Sequence, residues 1–545
     1  MNKEAILEAD VLCVGGGIAG LMAAIRASEL GAKVVVAEKS NTLRSGAGGV
    51  GCDHFVCYIP EVHGPDVMEV IREKRLGQMG GKLRDTERTR TWYEKSSEIV
   101  RLWDSWGIPM KYQGRYEFAG HSFPGARYQS GLKYAGQMQK PILTREALKR
   151  GVKIVNRVMV FELLADSAIA GAIGVGTRED KVIEFRAKSV VLGTGTFRRL
   201  YPGPTPGWMF NLRRPGTLTG DGRAMAFRAG AELVNMEVLE YHAGPKYFAR
   251  SGQGTWIGVI RDAEDKPVGH FVNKPDKRYG DMIVEVNKRL FSEYAVSGRG
   301  PAYMNCRGIS DDDLAYFMHW MTHEGNVALL NHLKEEGLDL RKNPIEFMTY
   351  EPEVAGTIRT NARTETSVKG LYAAGDETGI GVSHAAVFGW LCGENAAGYA
   401  RTTVQPDTKE IQAKVTEAKI LVSNLKNPHF GPDWKEVNIA LQQIMSDCAG
   451  ALRSESLLEA GLNHLRRLKE KTHDTMVAAN QHELMHALEV LNLLDLAELV
   501  FIAAEERKET RGQHIRSDYP YANPLLDKTL IIKNVHDVPV TEWTK

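Results

Sequence analysis

One segment at the start of this 545-residue chain constrains its fold more than any other. Residues 10–39 read DVLCVGGGIAGLMAAIRASELGAKVVVAEK. Val11 to Val14 form a short apolar strand. Gly15, Gly17 and Gly20 give G-x-G-x-x-G, and an apolar-periodic helix follows through Leu21, Ala24, Ile25 and Ala27. Gly31 ends that helix, AKVVVAE reads as a second buried strand, and Glu38 closes it 18 residues after Gly20. Strand, helix, strand and acid in this register make a βαβ unit built to hold a dinucleotide. Gly15 makes the tight turn, Gly17 lets backbone approach a pyrophosphate, and Gly20 lets helix and strand pack closely. The anion rests on the helix N-terminus, flanked by Ile18 and Ala19, and Glu38 accepts from a ribose hydroxyl.

The fingerprint alone does not choose between FAD and NAD. Two later segments bear on it. KSVVLGTGTFRRLYP (188–202) is another buried strand, ending in Gly193-Thr194-Gly195. TLTGDGRAMAFRAGAELVNME (217–237) gives a turn with Asp221, a helix and a strand. Residues 371–398, LYAAGDETGIGVSHAAVFGWLCGENAAG, then place Gly375-Asp376 in a loop before an apolar helix starting near Val382. Distant segments closing on one long cofactor favour FAD.

Bulk properties exclude several classes. The length asks for two to four domains. Net charge is +1, so no global field draws nucleic acid or an anionic membrane. Basic runs such as LRRP at 212 are short and local. The six cysteines form no CxxC pair, so the chain holds no zinc ribbon or iron–sulfur cluster of its own, and no metal is expected. Scattered thiols, no leader-like apolar start and no run of 18 apolar residues point to a cytoplasmic protein, associated with a membrane only through partners.

Five ordered segments together resemble the fumarate reductase/succinate dehydrogenase flavoprotein family, which also takes in L-aspartate oxidase and the adenylylsulfate reductase alpha subunit. They are VGGGIAGLMAAIRASELGAKVVVAEK, RSGAGGVG, LTGDGRAMAFRAGAEL, VKGLYAAGDETG and ETRGQHIRSDYP, spread from Asp10 to Pro524. AELVNME and the general spacing lean toward the adenylylsulfate reductase branch. The resemblance implies an α/β fold: a Rossmann-like FAD-binding domain interrupted by an α+β capping domain, then a C-terminal helical bundle and an extended tail. The expected bounds are 1–245 and 351–405 for the FAD domain, 246–350 for the cap, 406–510 for the helices and 511–545 for the tail. The cofactor set implied is Gly15, Gly17, Ile18, Ala19, Gly20, Glu38, Lys39, Arg44, Ser45, Gly48, Gly49, Thr194, Gly195, Asp221, Gly375, Asp376 and Val382.

The departures from the family pattern bear on chemistry. Counting back from Gly48-Gly49, Thr42 stands where respiratory members carry a histidine bonded to the flavin, so FAD is expected to be held non-covalently. Of four groups that hold a C4-dicarboxylate, only the histidine of EYHA, His242, is retained. Glu285 falls where a capping-domain arginine belongs, with Lys288 and Arg289 following. Pro352 replaces a histidine, and Ala386, Val387 and Phe388 surround the place of a second arginine. Paired cations are what a dianion needs, so fumarate, succinate and aspartate fit poorly. The adenylylsulfate branch fits imperfectly too, with Asp53 and Gln137 at two of its polar positions.

The candidate catalytic set is His242, Arg289, Glu285, His384, Arg359 and Trp256, with Tyr241 and Lys246 nearby. Plainer roles stand beside these. Arg359 also reads as an exposed strand-end charge, Glu285 and Arg289 as a solvated helix face, Trp256 as domain packing and His384 as a satisfied loop histidine. Arg511 and His514 read as ties for the tail. The expected activity is FAD-dependent two-electron oxidation or reduction of a small substrate other than a simple C4-dicarboxylate. A ferredoxin-like iron–sulfur subunit would supply or take the electrons. Alternatives are adenylylsulfate reduction, or a flavin electron-transfer subunit with no substrate of its own.

Overall fold

The computed structural model describes residues 3–77, 86–120, 127–205, 207–248, 255–269, 272–280, 289–406, 408–427 and 430–544. The expected βαβ unit is β1 (Lys3–Val14), α1 (Ile18–Glu29) and β2 (Val34–Glu38). β2 is a continuous run of buried Val and Ala before Glu38, as a strand covered on both faces requires. β1 lies parallel to both β2 and Lys181–Leu192, and β2 lies parallel to Lys153–Asn156.

The 12-residue strand Lys181–Leu192 does two jobs along one edge. Its first part pairs antiparallel with Ile169–Gly176, and its last three residues pair in parallel with Leu371–Ala373. That shared edge brings the late loop at Gly375-Asp376 beside the fingerprint, although some 360 residues separate them in sequence. Helix Val382–Thr402 then packs across α1. The fit requires glycine: a Cβ on Gly389 would lie 2.4 Å from Ala19 O, and one on Gly393 2.2 Å from Ala23 O. The two glycines sit four apart, on one helix face.

Two short antiparallel strands, Leu239–Glu240 and Glu353–Val354, form a neck. Beyond it lies the cap, a four-stranded sheet of Ala243–Pro245, Ile345–Thr349, Ala302–Asn305 and Val259–Arg261. Helices Asp311–His323 and Val327–Glu335 cover it. Ser310 caps the first of these by accepting from Asp313 N, and three aspartates fill its first turn, as the helix dipole favours. Trp256, Phe317, Trp320 and Phe347 make the cap core. The cap sheet begins at Ala243, slightly ahead of the boundary expected at 246.

The helices Lys409–Lys426, Trp434–Cys448, Glu455–Thr475 and Gln481–Glu506 follow. The last is 26 residues long, apolar on most faces, and buried along most of its length. Among the described residues, no helix is long and apolar enough to cross a membrane. The tail carries more structure than its sequence suggests. Leu530–Val535 and Val538–Trp543 form a hairpin that extends the sheet at Leu233–Val234. Its two-residue turn places His536 at φ 50° and Asp537 at φ 62°, the left-handed pair that such a turn demands.

Candidate flavin and substrate site

The glycine segments converge around the start of α1. Gly15 has φ +94°, and a Cβ there would lie 2.5 Å from Gly193 O. On Gly20 a Cβ would meet Gly15 O at 1.9 Å, which fixes strand and helix in contact. Gly375, with φ +72°, packs on Ala19, and a Cβ on Gly46 would lie 3.8 Å from Gly17 Cα. Gly48 rests on Ile18, and Gln139 donates to Gly48 O at 2.9 Å. Gly17 is the N-cap of α1, so free backbone N–H groups point out of the cradle. Two buried hydroxyls there, Thr42 Oγ1 and Ser45 Oγ, have no partner among the described residues. Open backbone, a helix N-terminus and orphan hydroxyls fit a phosphate-bearing dinucleotide. Glu38, closing β2, accepts from Gly16 N at 2.6 Å and from Ser40 N at 2.7 Å, so its carboxylate stands at the ribose end.

Lys140 was not foreseen. Its side chain is fully buried, and its ammonium donates to Gly16 O. Burial pushes its pKa down to about 8, with Glu38 opposing. Lys39 and Asp221 lie behind the cradle. Lys39 Nζ sits 2.7 Å from both Asp221 and Glu489, tying the fingerprint to the long helix Gln481–Glu506. Asn492 also donates to Asp221 at 2.9 Å. Their side-chain charges are committed to this internal network. Thr42 packs beside Gly16: a Cβ there would meet its methyl at 2.5 Å, and its N–H bonds Asn156 at 3.0 Å. Residues 39–53 contain no histidine.

Thr194 and Gly195 end the strand Lys181–Leu192. Thr194 Oγ1 bonds Glu377 and accepts from Gly222 N at 3.0 Å. Arg223 donates to Gly195 O at 2.7 Å and bonds Asp376 O, locking three cradle loops together. Val382 opens its helix after Gly381. Arg44 donates to Gln137 O at 2.9 Å. With Gly49, Val50, Gln137 and Met138 it faces Gly325 and Val327 of the cap across an open cleft of about 520 Å³.

Where the cap meets the FAD domain, two buried charge clusters form. In one, Lys133 Nζ lies 2.8 Å from Asp53 and donates to Thr255 of the cap at 2.7 Å, while Thr255 also bonds Asp53. His54 Nδ1 lies 2.8 Å from Asp53. Burial raises the Asp53 pKa, but the Lys133 charge and the hydrogen bonds outweigh it and hold the carboxyl well below its usual range. Cys52 and Glu324 stand beside this pair, and burial pushes the Cys52 thiol far up. His323 ends the cap helix nearby with Nδ1 buried and, among the described residues, without a hydrogen-bond partner.

The second cluster fills the neck. Arg198 reaches Glu353 at 2.5 Å and Glu351 at 3.5 Å, and Arg213 reaches Glu353 at 3.2 Å. Thr196 bonds Glu353 too, and Arg213 N donates to Glu351 at 3.0 Å. Burial opposes ionisation of Glu353, yet Arg198, Arg213 and Arg214 bring its pKa down to about 2. Burial dominates at Glu351 and raises its pKa. Arg214 lies 3.7 Å from Asp376.

The nominated catalytic residues part company here. His242 lies in the neck, 5 % exposed, with its carbonyl accepting from Tyr350 N at 2.8 Å. Tyr241 beside it has a buried hydroxyl with no partner among the described residues, and Arg289 lies 5.9 Å over its ring. Arg289 also reaches Gln513 of the tail at 3.4 Å and Glu293 at 3.6 Å, so it links cap and tail. Trp256 is wholly buried, edge-on to Phe317 and Phe347 at 5.3 and 4.9 Å, and serves the cap core. Its neighbour Thr255 is the one that reaches the FAD domain. His384 packs between Trp92 and Phe388 under Gly379. Arg359 is half-exposed and paired with Glu232 at 2.7 Å on the small sheet, remote from the others. Lys246 makes a surface pair with Glu346 at 2.7 Å. Glu285 and Lys288 lie outside the described residues. His514 is buried between Arg453 and Arg507 O, and Arg511 pairs with Glu509, so both hold the tail.

A doubly covered parallel sheet with a glycine cradle at its carboxyl ends, and a cap on a two-stranded neck, defines a flavin-binding oxidoreductase. The family described as FAD binding domain matches residues 10–389, and the one described as fumarate reductase flavoprotein C-term matches residues 438–539. The chain belongs to the FAD-dependent flavoprotein family of fumarate reductase, succinate dehydrogenase and adenylylsulfate reductase. It is 25% identical over 573 residues to a fumarate reductase (CoM/CoB) subunit of Methanothermobacter marburgensis, covering 98% of each chain. Its fold matches adenylylsulfate reductase from Archaeoglobus fulgidus with a TM-score of 0.84 at 22% identity, covering 99% of this chain and 96% of that one. It matches E. coli quinol fumarate reductase FrdA with a TM-score of 0.83 at 21% identity, covering 99% and 97%.

Proposed function

We propose that this chain is a flavoprotein catalytic subunit that reduces or oxidises, by two electrons, a small substrate other than a simple C4-dicarboxylate, and exchanges electrons with a separate iron–sulfur subunit. The observation that carries the substrate half is the charge balance of the neck. A dicarboxylate needs two cationic clamps. Arg198 and Arg213 are already committed to Glu351 and Glu353. The further family positions carry Pro352 and apolar Ala386 to Phe388. FAD supplies the hydride chemistry. The chain's own residues hold it through the glycine cradle. His242 orients or protonates the substrate, and the cap closes over the cleft to exclude water. For the partner, the support is the relatives named as subunits and a thiol set that is scattered and mostly buried.

Single-turnover reoxidation tests this. FAD-loaded protein is photoreduced without oxygen and mixed with fumarate, adenylylsulfate or monoanionic activated alkenes while the flavin band is followed. A monoanionic alkene should restore the oxidised spectrum faster than fumarate does. Rapid reoxidation by fumarate would contradict the reading.

A further inference from the structure

We infer that Arg214 is the anion-binding residue of a substrate site at the neck, so the substrate carries one compact anionic group of carboxylate, sulfonate or phosphate type. This rests on the neck being the substrate site, as above.

Three arginines, Arg198, Arg213 and Arg214, enter one buried cluster, and their positions differ in kind. Glu353 is saturated by Arg198, Arg213 and Thr196. Arg213 is pinned at its backbone as well, since its N–H donates to Glu351 at 3.0 Å. That anchor holds the next residue in place. Arg214 is only 11% exposed at its side chain, yet it makes no hydrogen bond within the described residues. Its closest carboxylate, Asp376, is 3.7 Å away. Arg198 and Arg213 also leave two buried nitrogens each unbonded among the described residues, but each keeps a hydrogen bond to Glu353, whereas Arg214, with its Nε buried and unbonded, has none. A guanidinium carries five donors in a planar fork. Asp376, Glu353 and Glu240 outweigh the cost of burying its charge, but its donors are left unbonded, and an anionic ligand is what would satisfy them.

The surroundings fix where that ligand lies and how much charge it bears. Asp376 belongs to a cradle loop, and Glu240 and Glu353 to the neck. All three carboxylates act on the charge of Arg214, which therefore stands where the cradle meets the neck. A second carboxylate on the substrate would meet Asp376 or Glu240. The geometry thus accepts one anionic group and rejects two.

The test uses FAD-loaded wild type, Arg214→Gln and Arg214→Lys. Each is titrated with acetate, methanesulfonate or inorganic phosphate while the oxidised flavin band is recorded. Wild type should show a saturable spectral change with at least one probe. Arg214→Gln should bind it about 10- to 100-fold more weakly, the worth of hydrogen bonds to a charged group. Arg214→Lys should fall between, because an ammonium keeps the charge but loses the fork. Equal affinity in wild type and Arg214→Gln, or no saturable change with any probe in wild type, overturns the inference. A shifted flavin midpoint potential with unchanged anion affinity also overturns it, by assigning Arg214 to the flavin itself. If Arg214→Gln cannot be loaded with FAD, the Arg214→Lys titration decides. Anion binding in a chain whose reduced flavin no acceptor reoxidises would refute the proposed activity and leave Arg214 as assigned.

Discussion

Lys140→Met isolates the energetic cost of a cation buried beside the fingerprint. The pKa of Lys140 falls from the ordinary 10.5 to about 8, chiefly through burial. A displacement of about 2.5 pH units corresponds to about 3 kcal/mol. The sign follows from proton counts. Between pH 8 and 10.5 the unfolded chain holds the lysine proton and the folded chain does not, so stability rises with pH across that window. Below pH 8 both states are protonated, and the fold carries the full cost. Methionine removes that cost and gives up the bond to Gly16 O, worth about 1 kcal/mol. FAD-free Lys140→Met should therefore be about 2 kcal/mol more stable than wild type at pH 7, with the gain shrinking toward pH 10.5. Denaturant titration of both proteins at several pH values reads this difference directly. FAD brings phosphate charge to the same loop and restores the favourable state of the ammonium, so FAD binding near pH 9 should take up most of a proton in wild type and none in Lys140→Met. Calorimetry in two buffers of different ionisation heat measures that uptake. Equal uptake in the two proteins, or a stability difference that does not change with pH, refutes the reasoning.

Three further outcomes follow from the packing and charge pattern. Gly393→Val would drive a side chain into Ala23 O, and should cost about 3 kcal/mol or more by overpacking, with loss of bound flavin read from the 450 nm to 280 nm absorbance ratio. Glu353→Gln strips the shared acid from Arg198 and Arg213 and should lower stability by about 3–5 kcal/mol, seen in denaturant unfolding near neutral pH. The same Glu353, held at about 2, contributes stability above pH 4.5 that is lost as pH falls toward 2, a loss the Gln variant should not show. Arg359→Gln removes only a half-exposed pair with Glu232, and should change stability by less than about 1 kcal/mol with flavin reduction unaltered.

The parts of this molecule written in local pattern were legible in its sequence. Val11 to Val14, the three fingerprint glycines and the VVVAE strand carry their geometry within 30 residues, because turn, close packing and helix start each admit few residue types. The buried helix Gln481–Glu506 was legible for the same reason, as a long run apolar on most faces. What escaped is set by contacts across the chain. Arg213 and Arg214 read as a short basic run, and nothing local shows that Glu351 and Glu353, some 140 residues on, bury them. Lys140 reads as a surface lysine until the sheet brings Gly16 over it. Lys39 follows the ribose acid directly, yet its ammonium turns to Asp221 and Glu489, a pairing made by the helical domain. Counting back from Gly48-Gly49 reaches Thr42, but its packing on Gly16 is made across the fold and leaves no mark in local spacing.

The central claim is that this chain holds the flavin as its family does and has given up the dicarboxylate clamp. A viologen assay tests it most directly. FAD-loaded protein is supplied with reduced benzyl viologen under anaerobic conditions and saturating fumarate, and viologen oxidation is followed. The account expects a rate indistinguishable from the same mixture without fumarate. Sustained fumarate-dependent oxidation of viologen, with succinate as the product, would contradict it.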